Sequence, residues 1–416
     1  MTFRVRWRVT STLVALAMLT ASQSAALHRN APLFLQVGEA GGGATGGMRF
    51  SASSNLLFFH SDADLLANGN ATTQIFAFDL ASRVKREQHA LYQLTSGNAP
   101  SRAPAATKRG RVLAFDSEAD LLGNGGTGRQ IFVSTRAKIV RGVVPLVQVT
   151  RGSADSFGVL VSPRRGRTLV FSSHADLSGA GVPAGAHLYR VSLPTLERSE
   201  CDGYPCLGNP GLDLITPFSA THPDIDRKGE RVVFTSRGDV AGTGCGVGIS
   251  QVFLRDFRAG SIQQLTCGAA DSRHPVFTRS YHGVLFESDA DLLGNGSTHT
   301  QIFQLNLRRD PRTLTQMTFG TDGDSTRPAP NGTRRKIRFF FHSTASLTGD
   351  TSPGSDNLYQ FDESRGLIRL TDGQTLGTDV AGQYTFAAFT SDADLVGNGN
   401  ASSQLFILNS YPLYEP

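Results

Sequence analysis

The stretch Phe115–Phe132 reads FDSEADLLGNGGTGRQIF. A β-branched or aromatic run ends at Phe115-Asp116-Ser117, a polar loop with Gly-Asn-Gly follows, and Gln130-Ile131-Phe132 opens a second apolar run. Related stretches end at Phe76, Tyr189, Phe253, Phe303, Tyr359 and Phe406, for example FESDADLLGNGSTHTQIF at Phe286–Phe303 and FTSDADLVGNGNASSQLF at Phe389–Phe406. The second acidic position of the loop recurs at Asp64, Asp120, Asp176, Asp239, Asp291, Ser346 and Asp394, every ~55 residues. That period is near that of propeller blades and longer than most helical repeats.

Each period divides into four short strands. A pre-proline segment comes first (Ala103-Pro104, His222-Pro223, His274-Pro275), then a glycine turn (Lys228-Gly229) and a run such as Arg231–Thr235. The Asp-Leu-Gly-Asn-Gly loop leads into a third strand, and a fourth ends in Gln-Leu-Thr or a variant of it (Gln93–Thr95, Gln264–Thr266). Alternation and turn chemistry favour strands throughout. The expected fold is all-β, a seven-bladed propeller of four-stranded blades. Little chain follows Leu408. Pro32–Gly42 (PLFLQVGEAGG) matches the fourth-strand sequence at Pro145–Asp155 (PLVQVTRGSAD), so an N-terminal strand is expected to complete the last blade and remove a free sheet edge.

The stretch Ser101–Phe132 as a whole resembles the TolB-like propeller repeat of exported bacterial proteins: a proline, then a glycine, then Phe-x-Ser-x-Ala-x-Leu, Gly-Asn and Ile-Phe. The resemblance covers nearly all of the chain after the N-terminal segment. It implies a propeller fold and an exported protein, and it assigns no activity. TolB itself carries an α/β domain before a six-bladed propeller; this chain lacks that domain, so a Tol–Pal role does not carry over.

Residues 1–26 read as a secretory signal: Arg4, Arg6 and Arg8, the short apolar core Leu13–Leu19, and small residues at Ser24–Ala26. The expected domain is 27–416, periplasmic or secreted. Removing the three arginines takes the net charge from +5 to +2, so the mature chain is close to neutral. No later stretch is long and apolar enough to span a membrane, and no nucleic-acid motif is present.

The loop aspartates raise the question of metal. Asp62, Asp64, Asn68 and Asn70 offer alternating oxygens as calcium loops do, and Asp289, Asp291, Asp392 and Asp394 are the corresponding candidates in two other copies. The copies do not keep the set, however: Glu118, His174 and Arg237 replace the first acid and Ser346 the second. The preferred reading is that the second aspartate accepts backbone N–H bonds within its own turn, with calcium the alternative and no other cofactor expected. His222 and His274 precede the opening prolines of adjacent blades and are expected near the channel mouth, where they line a wet channel or share a metal. No catalytic set is evident: Gly-x-Ser-x-Gly and phosphate-loop motifs are absent.

Strand order places first-to-second turns and third-to-fourth connections on one face, here called lower. The second-to-third loops and blade-to-blade links share the other, upper face. The lower group is basic (Lys108, Arg109, Arg164, Arg165, Arg227, Lys228, Arg334, Arg335, Lys336) and the upper group acidic (Asp62, Asp64, Glu118, Asp120, Asp289, Asp291, Asp322, Asp324). The four cysteines follow the same logic. Cys201 and Cys206 fall on the lower face, Cys245 and Cys267 on the upper. Bonded cysteines need Cα atoms within about 7 Å, so Cys201–Cys206 and Cys245–Cys267 are the expected bridges. The functional expectation is a monomeric, non-enzymatic binding or scaffold module for a protein or an anionic polymer. The alternatives are a hydrolase or lyase at the channel mouth and a calcium-dependent adhesion module.

Overall fold

The computed structural model describes residues 33–409 except 38–44, 52–55, 81–89, 108–109, 124–127, 136, 138, 140–143, 152–153, 165, 194–211, 309–310, 333–335, 350–354, 372–379, 384–385 and 397–403. The expected signal segment and Cys201 and Cys206 lie outside the described residues, as do Lys108, Arg109, Arg165, Arg334 and Arg335 of the basic group.

The strands form seven four-stranded antiparallel sheets. The first strands neighbour one another in order, and that of the first sheet (Thr45–Phe50) also meets that of the last (Val380–Gln383), which closes the ring. Blade 5 is representative: Ser272–Phe277, Gly283–Ser288, Gln301–Asn306 and Thr313–Gln316, innermost to outermost. Six sheets are each cut from one continuous run of chain. The remaining one is composite: Leu33–Gln36 is the outer strand beside Gln404–Asn409.

One physical pattern explains why Phe-x-Ser and Ile-Phe recur. The Phe of the second strand lies directly across from the aromatic residue of the third, as in Phe286↔Phe303. All seven sheets hold such a pair, with centroids 5.6–6.1 Å apart. Offset aromatic pairs of this kind add about 0.5–1.5 kcal/mol beyond their area burial. Where tyrosine replaces phenylalanine, its hydroxyl finds a loop carbonyl: Tyr189 donates to Ala175 O (3.0 Å) and Tyr359 to Ala345 O (3.1 Å). The following serine accepts the N–H two residues on, as in Ser288 from Ala290 (3.1 Å), and turns the chain into the loop. The threonine of Gln-Leu-Thr holds the start of the third strand: Thr318 Oγ1 accepts from Ile302 N (2.9 Å) and donates to Gln301 Oε1 (2.8 Å).

The expectation of seven like blades needs correcting in one respect. In six sheets the first and second strands shift register by one residue, a β-bulge. In the seventh, Val380–Gln383 pairs with Phe386–Ser391 without a shift among the described residues. The bulged residue has positive φ in each of the six: Gly47, Ala103, Gly158, His222, His274 and Arg327. Four of these precede proline, which normally favours extended backbone. The bulge therefore imposes a left-handed conformation that local sequence disfavours.

Candidate channel mouth and upper face

The bulges line the central channel toward its upper mouth, and neighbouring blades hold them. The residue between Phe and Ser in the second strand reaches the next blade's bulge. Asp116 Oδ2 accepts from Gly158 N (2.9 Å), Glu287 Oε2 from Arg327 N (2.8 Å), and His60 Nδ1 lies 3.4 Å from Ala103 N. A Cβ on Gly47 would meet His60 Nδ1 at 2.5 Å, so a side chain there would displace the His60 ring.

His222 and His274 do come together, their ring centroids 3.9 Å apart. His274 Nδ1 pairs with Glu287 Oε1 at 2.7 Å, and His222 Nδ1 with Thr221 Oγ1 at 3.1 Å. Burial alone would raise the Glu287 carboxyl, but the hydrogen bond and charge of His274, the Arg327 N–H and Arg273 bring it below its ordinary value. Crowding by protein and then the His274 charge push His222 down to about 4, although its edge stays exposed at the mouth. Half-buried Asp224 is raised to about 6 by burial, against the Phe277 N–H at 2.8 Å and the charge of Arg49. No group of three or more His, Cys, Asp or Glu suited to a metal occurs among the described residues.

Asp116 gives a pH test. It is 2% exposed, and burial raises its carboxyl to about 6 despite Gly158 N–H and Arg129. An unfolded aspartate titrates near 4. The folded pKa is the higher one, so the stabilising contribution of the protonated acid is complete below pH ~4 and is lost as pH rises through about 6. Asp116→Asn keeps an acceptor for Gly158 and removes the ionisation. It should be more stable than the parent at pH 8 by up to about 3 kcal/mol, at ~1.4 kcal/mol per unit, and the gain should vanish by pH 4. Melting curves at the two pH values check this; a variant less stable at pH 8 would show that the Arg129 pair dominates instead.

The loop aspartates have definite partners. Asp64 accepts from Asn68 N (2.9 Å) and Gly69 N (2.8 Å), and Asp291 from Asn295 N (2.9 Å) and Gly296 N (2.7 Å). These bonds hold Asp291 below the ordinary carboxylate range. Asp176 and Asp239 do the same in their loops. In blade 6, where serine replaces the acid, Asp322 of the preceding link accepts from Ser346 N (3.1 Å). The first acidic position clamps its own blade: Arg273 binds both oxygens of Asp289 (2.9 and 2.8 Å), and Arg102 pairs with Glu118 (2.5 Å). Asp62, Asp392 and Asp394 lie in the corresponding loops, and none joins a metal-binding cluster among the described residues.

Sequence reading placed Arg237 in its loop but missed Arg102, Arg129 and Arg273 and the pairing of all four with these acids. Arg102, Arg129, Arg237 and Arg273 all pair with upper-face carboxylates, so much of the acidity there is neutralised internally. The signal was available as Arg two residues before the opening proline in blades 2 and 5. Cys245 and Cys267 are bonded, Cα atoms 5.7 Å apart, across upper-face loops of blade 4. The same face carries all four of the exposed large hydrophobic side chains among the described residues: Phe218 (40%), Val247 (60%), Leu293 (47%) and Phe319 (65%).

The fold and its channel define a β-propeller. Solved structures agree on that class. An oligogalacturonate lyase in complex with manganese aligns with a TM-score of 0.56 at 13% identity, over 91% of this chain and 96% of the other. The β-propeller domain of the Trilobed protease from Pyrococcus furiosus gives 0.55 at 10%, over 90% and 100%. At these identities the likeness is one of fold alone. No family model and no curated protein matches the chain. No helix among the described residues is long and apolar enough to cross a membrane.

Proposed function

We propose that this chain is an exported, non-catalytic propeller that binds a protein partner on its upper face. One observation carries the reading. Phe218 and Phe319 lie in blade-to-blade links, and Val247 and Leu293 in second-to-third loops, all on one face and within blades 3 to 6. Chance placement would divide them between faces. Exposed apolar side chains gathered on one polar face are what protein interfaces bury, and the same face carries ion-paired acids and arginines. Export is supported by the basic-then-apolar N-terminus and by the TolB-like repeat.

The competing enzyme reading draws on His222, His274 and Glu287. It is less well supported because Glu287 is committed to His274, Arg273 and the Arg327 N–H. The calcium reading is weakened likewise, since Asp64 and Asp291 each spend both oxygens on backbone N–H groups.

Site-specific photo-crosslinking in producing cells tests the proposal. A crosslinking side chain at Leu293 should give one discrete protein adduct, and one at lower-face Arg258 should not. Phe319→Ser should reduce the Leu293 adduct at least tenfold, the loss expected of a central apolar contact of about 1.4 kcal/mol or more. Equal yields from both faces, or no adduct at Leu293, would overturn it.

A further inference from the structure

The lower face holds a cleft between blades 5 and 6, with a cavity of about 200 Å³. It forms where the first-to-second turns of the two blades meet the third-strand exits. Blade 5 contributes the turn after Ser272–Phe277 and the end of Gln301–Asn306; blade 6 contributes Pro330, Gly332, Lys336 and Ile337 ahead of Arg338–Ser343. On blade 6 the backbone packs closely, since a Cβ on Gly332 would lie 2.5 Å from Lys336 O and 2.8 Å from Arg338 N.

The lining is mainly basic, with Glu363 its one carboxylate among the described residues. Arg279, His282, Arg308 and Lys336 converge on it, with the amide side chains of Gln304 and Asn306 between them. Glu363 in the lining and Asp362 beside it each have a partner on blade 6. Glu363 Oε2 accepts from Ile337 N (2.9 Å), and Asp362 pairs with Arg338 at 2.7 Å. Among the described residues no carboxylate forms an ion pair with Arg308. Asn306 Oδ1 accepts from Arg308 N (2.9 Å), which fixes the backbone from which that guanidinium projects. Burial and then the charges of Arg308 and Arg231 hold His282 below its ordinary value, as a positive local potential would. Leu285, Pro330 and Ile337 give the cleft an apolar floor.

We propose that this cleft is a binding site for a small oxyanion-bearing polar molecule: a carboxylate or phosphate monoester on a hydroxylated carbon skeleton. The guanidinium and ammonium groups meet the oxyanion. The amides serve hydroxyl groups, and the apolar floor takes the carbon chain. The site is on the opposite face from the proposed protein-binding surface and does not depend on it.

The test is calorimetric titration of the whole chain with glycerol 3-phosphate and with gluconate, using glycerol as the uncharged control. The parent should bind at least one of the two anions saturably at one site and ignore glycerol; which anion binds tighter distinguishes phosphate from carboxylate. Arg308→Glu with Lys336→Glu, both at exposed positions, should melt like the parent and bind at least tenfold more weakly. A matched pair on blade 4 of the same face, Lys228→Glu with Arg258→Glu, should bind like the parent. In NMR titrations the His282 ring should show its pKa rising when the anion is bound. Absence of saturable binding by both anions, or equal loss in the two variant pairs, would overturn the proposal.

Discussion

Phe286→Ala should destabilise the protein by about 3–5 kcal/mol, the usual cost of emptying a large aromatic site in a close-packed core. Phe286 is 0% exposed and stacks on Phe303 at 5.8 Å. Its cluster also includes Val233, Val252 and Leu254 of blade 4. Removing the ring therefore takes away the cross-strand pair of one sheet and part of the packing between two sheets. Phe286→Leu keeps much of the volume and should cost less, about 1–1.5 kcal/mol. Urea unfolding of the two variants measures both values. A loss below ~1 kcal/mol for the alanine variant would mean that neighbouring blades collapse into the space, contrary to the rigid packing expected of a core at this density.

Phe286 belongs to the part of the fold that sequence made legible. The aromatic pairs, the serine turn and the threonine lock are set by residues close in the chain or one strand apart, so each copy repeats them. The aspartate loops were legible for the same reason: Asp64 and Asp291 bind N–H groups four and five residues on. Asp116, Glu287 and His60 were not legible. Each occupies the same place in the repeat, but its partner lies about 40 residues away in the next blade, and the position holds different polar residues from copy to copy. A search for sameness discards it. The left-handed backbone of His222 and His274 was hidden too, because a residue before proline reads as extended until the bulge is seen. Nor does the reading of an acidic face survive in full. It counted the carboxylates of the loops and overlooked Arg102 and Arg273, which belong to the first strands and reach the same surface.

Removing Leu33–Val37 should have a larger effect than any single core substitution. Those residues are far from the rest of their sheet in sequence, and they cover the edge of Gln404–Asn409 over four registered pairs. Gln36 Nε2 donates to Gln404 Oε1 at 2.9 Å, and Val37 N to Leu405 O at 2.8 Å. Val37, 3% exposed, packs with Phe59, Phe76, Leu405 and Ile407, a cluster that joins the first and last sheets. Each lost hydrogen bond is worth about 1 kcal/mol, and the buried valine about 1.5–3 kcal/mol. Together these losses approach the whole net stability of a typical domain, about 5–15 kcal/mol. They also leave an open strand edge that invites association with other chains. The shortened protein should lose its cooperative melt or aggregate on warming. A synthetic peptide spanning residues 30–40 should restore the melt, with a midpoint that rises with peptide concentration as mass action requires. If the shortened protein melted within ~2 °C of the parent, the small shift expected of a perturbation well under 1 kcal/mol, the ring would owe its closure to the first-strand contacts around the channel, and the outer strand would be a cover for the sheet edge with little part in holding the seam.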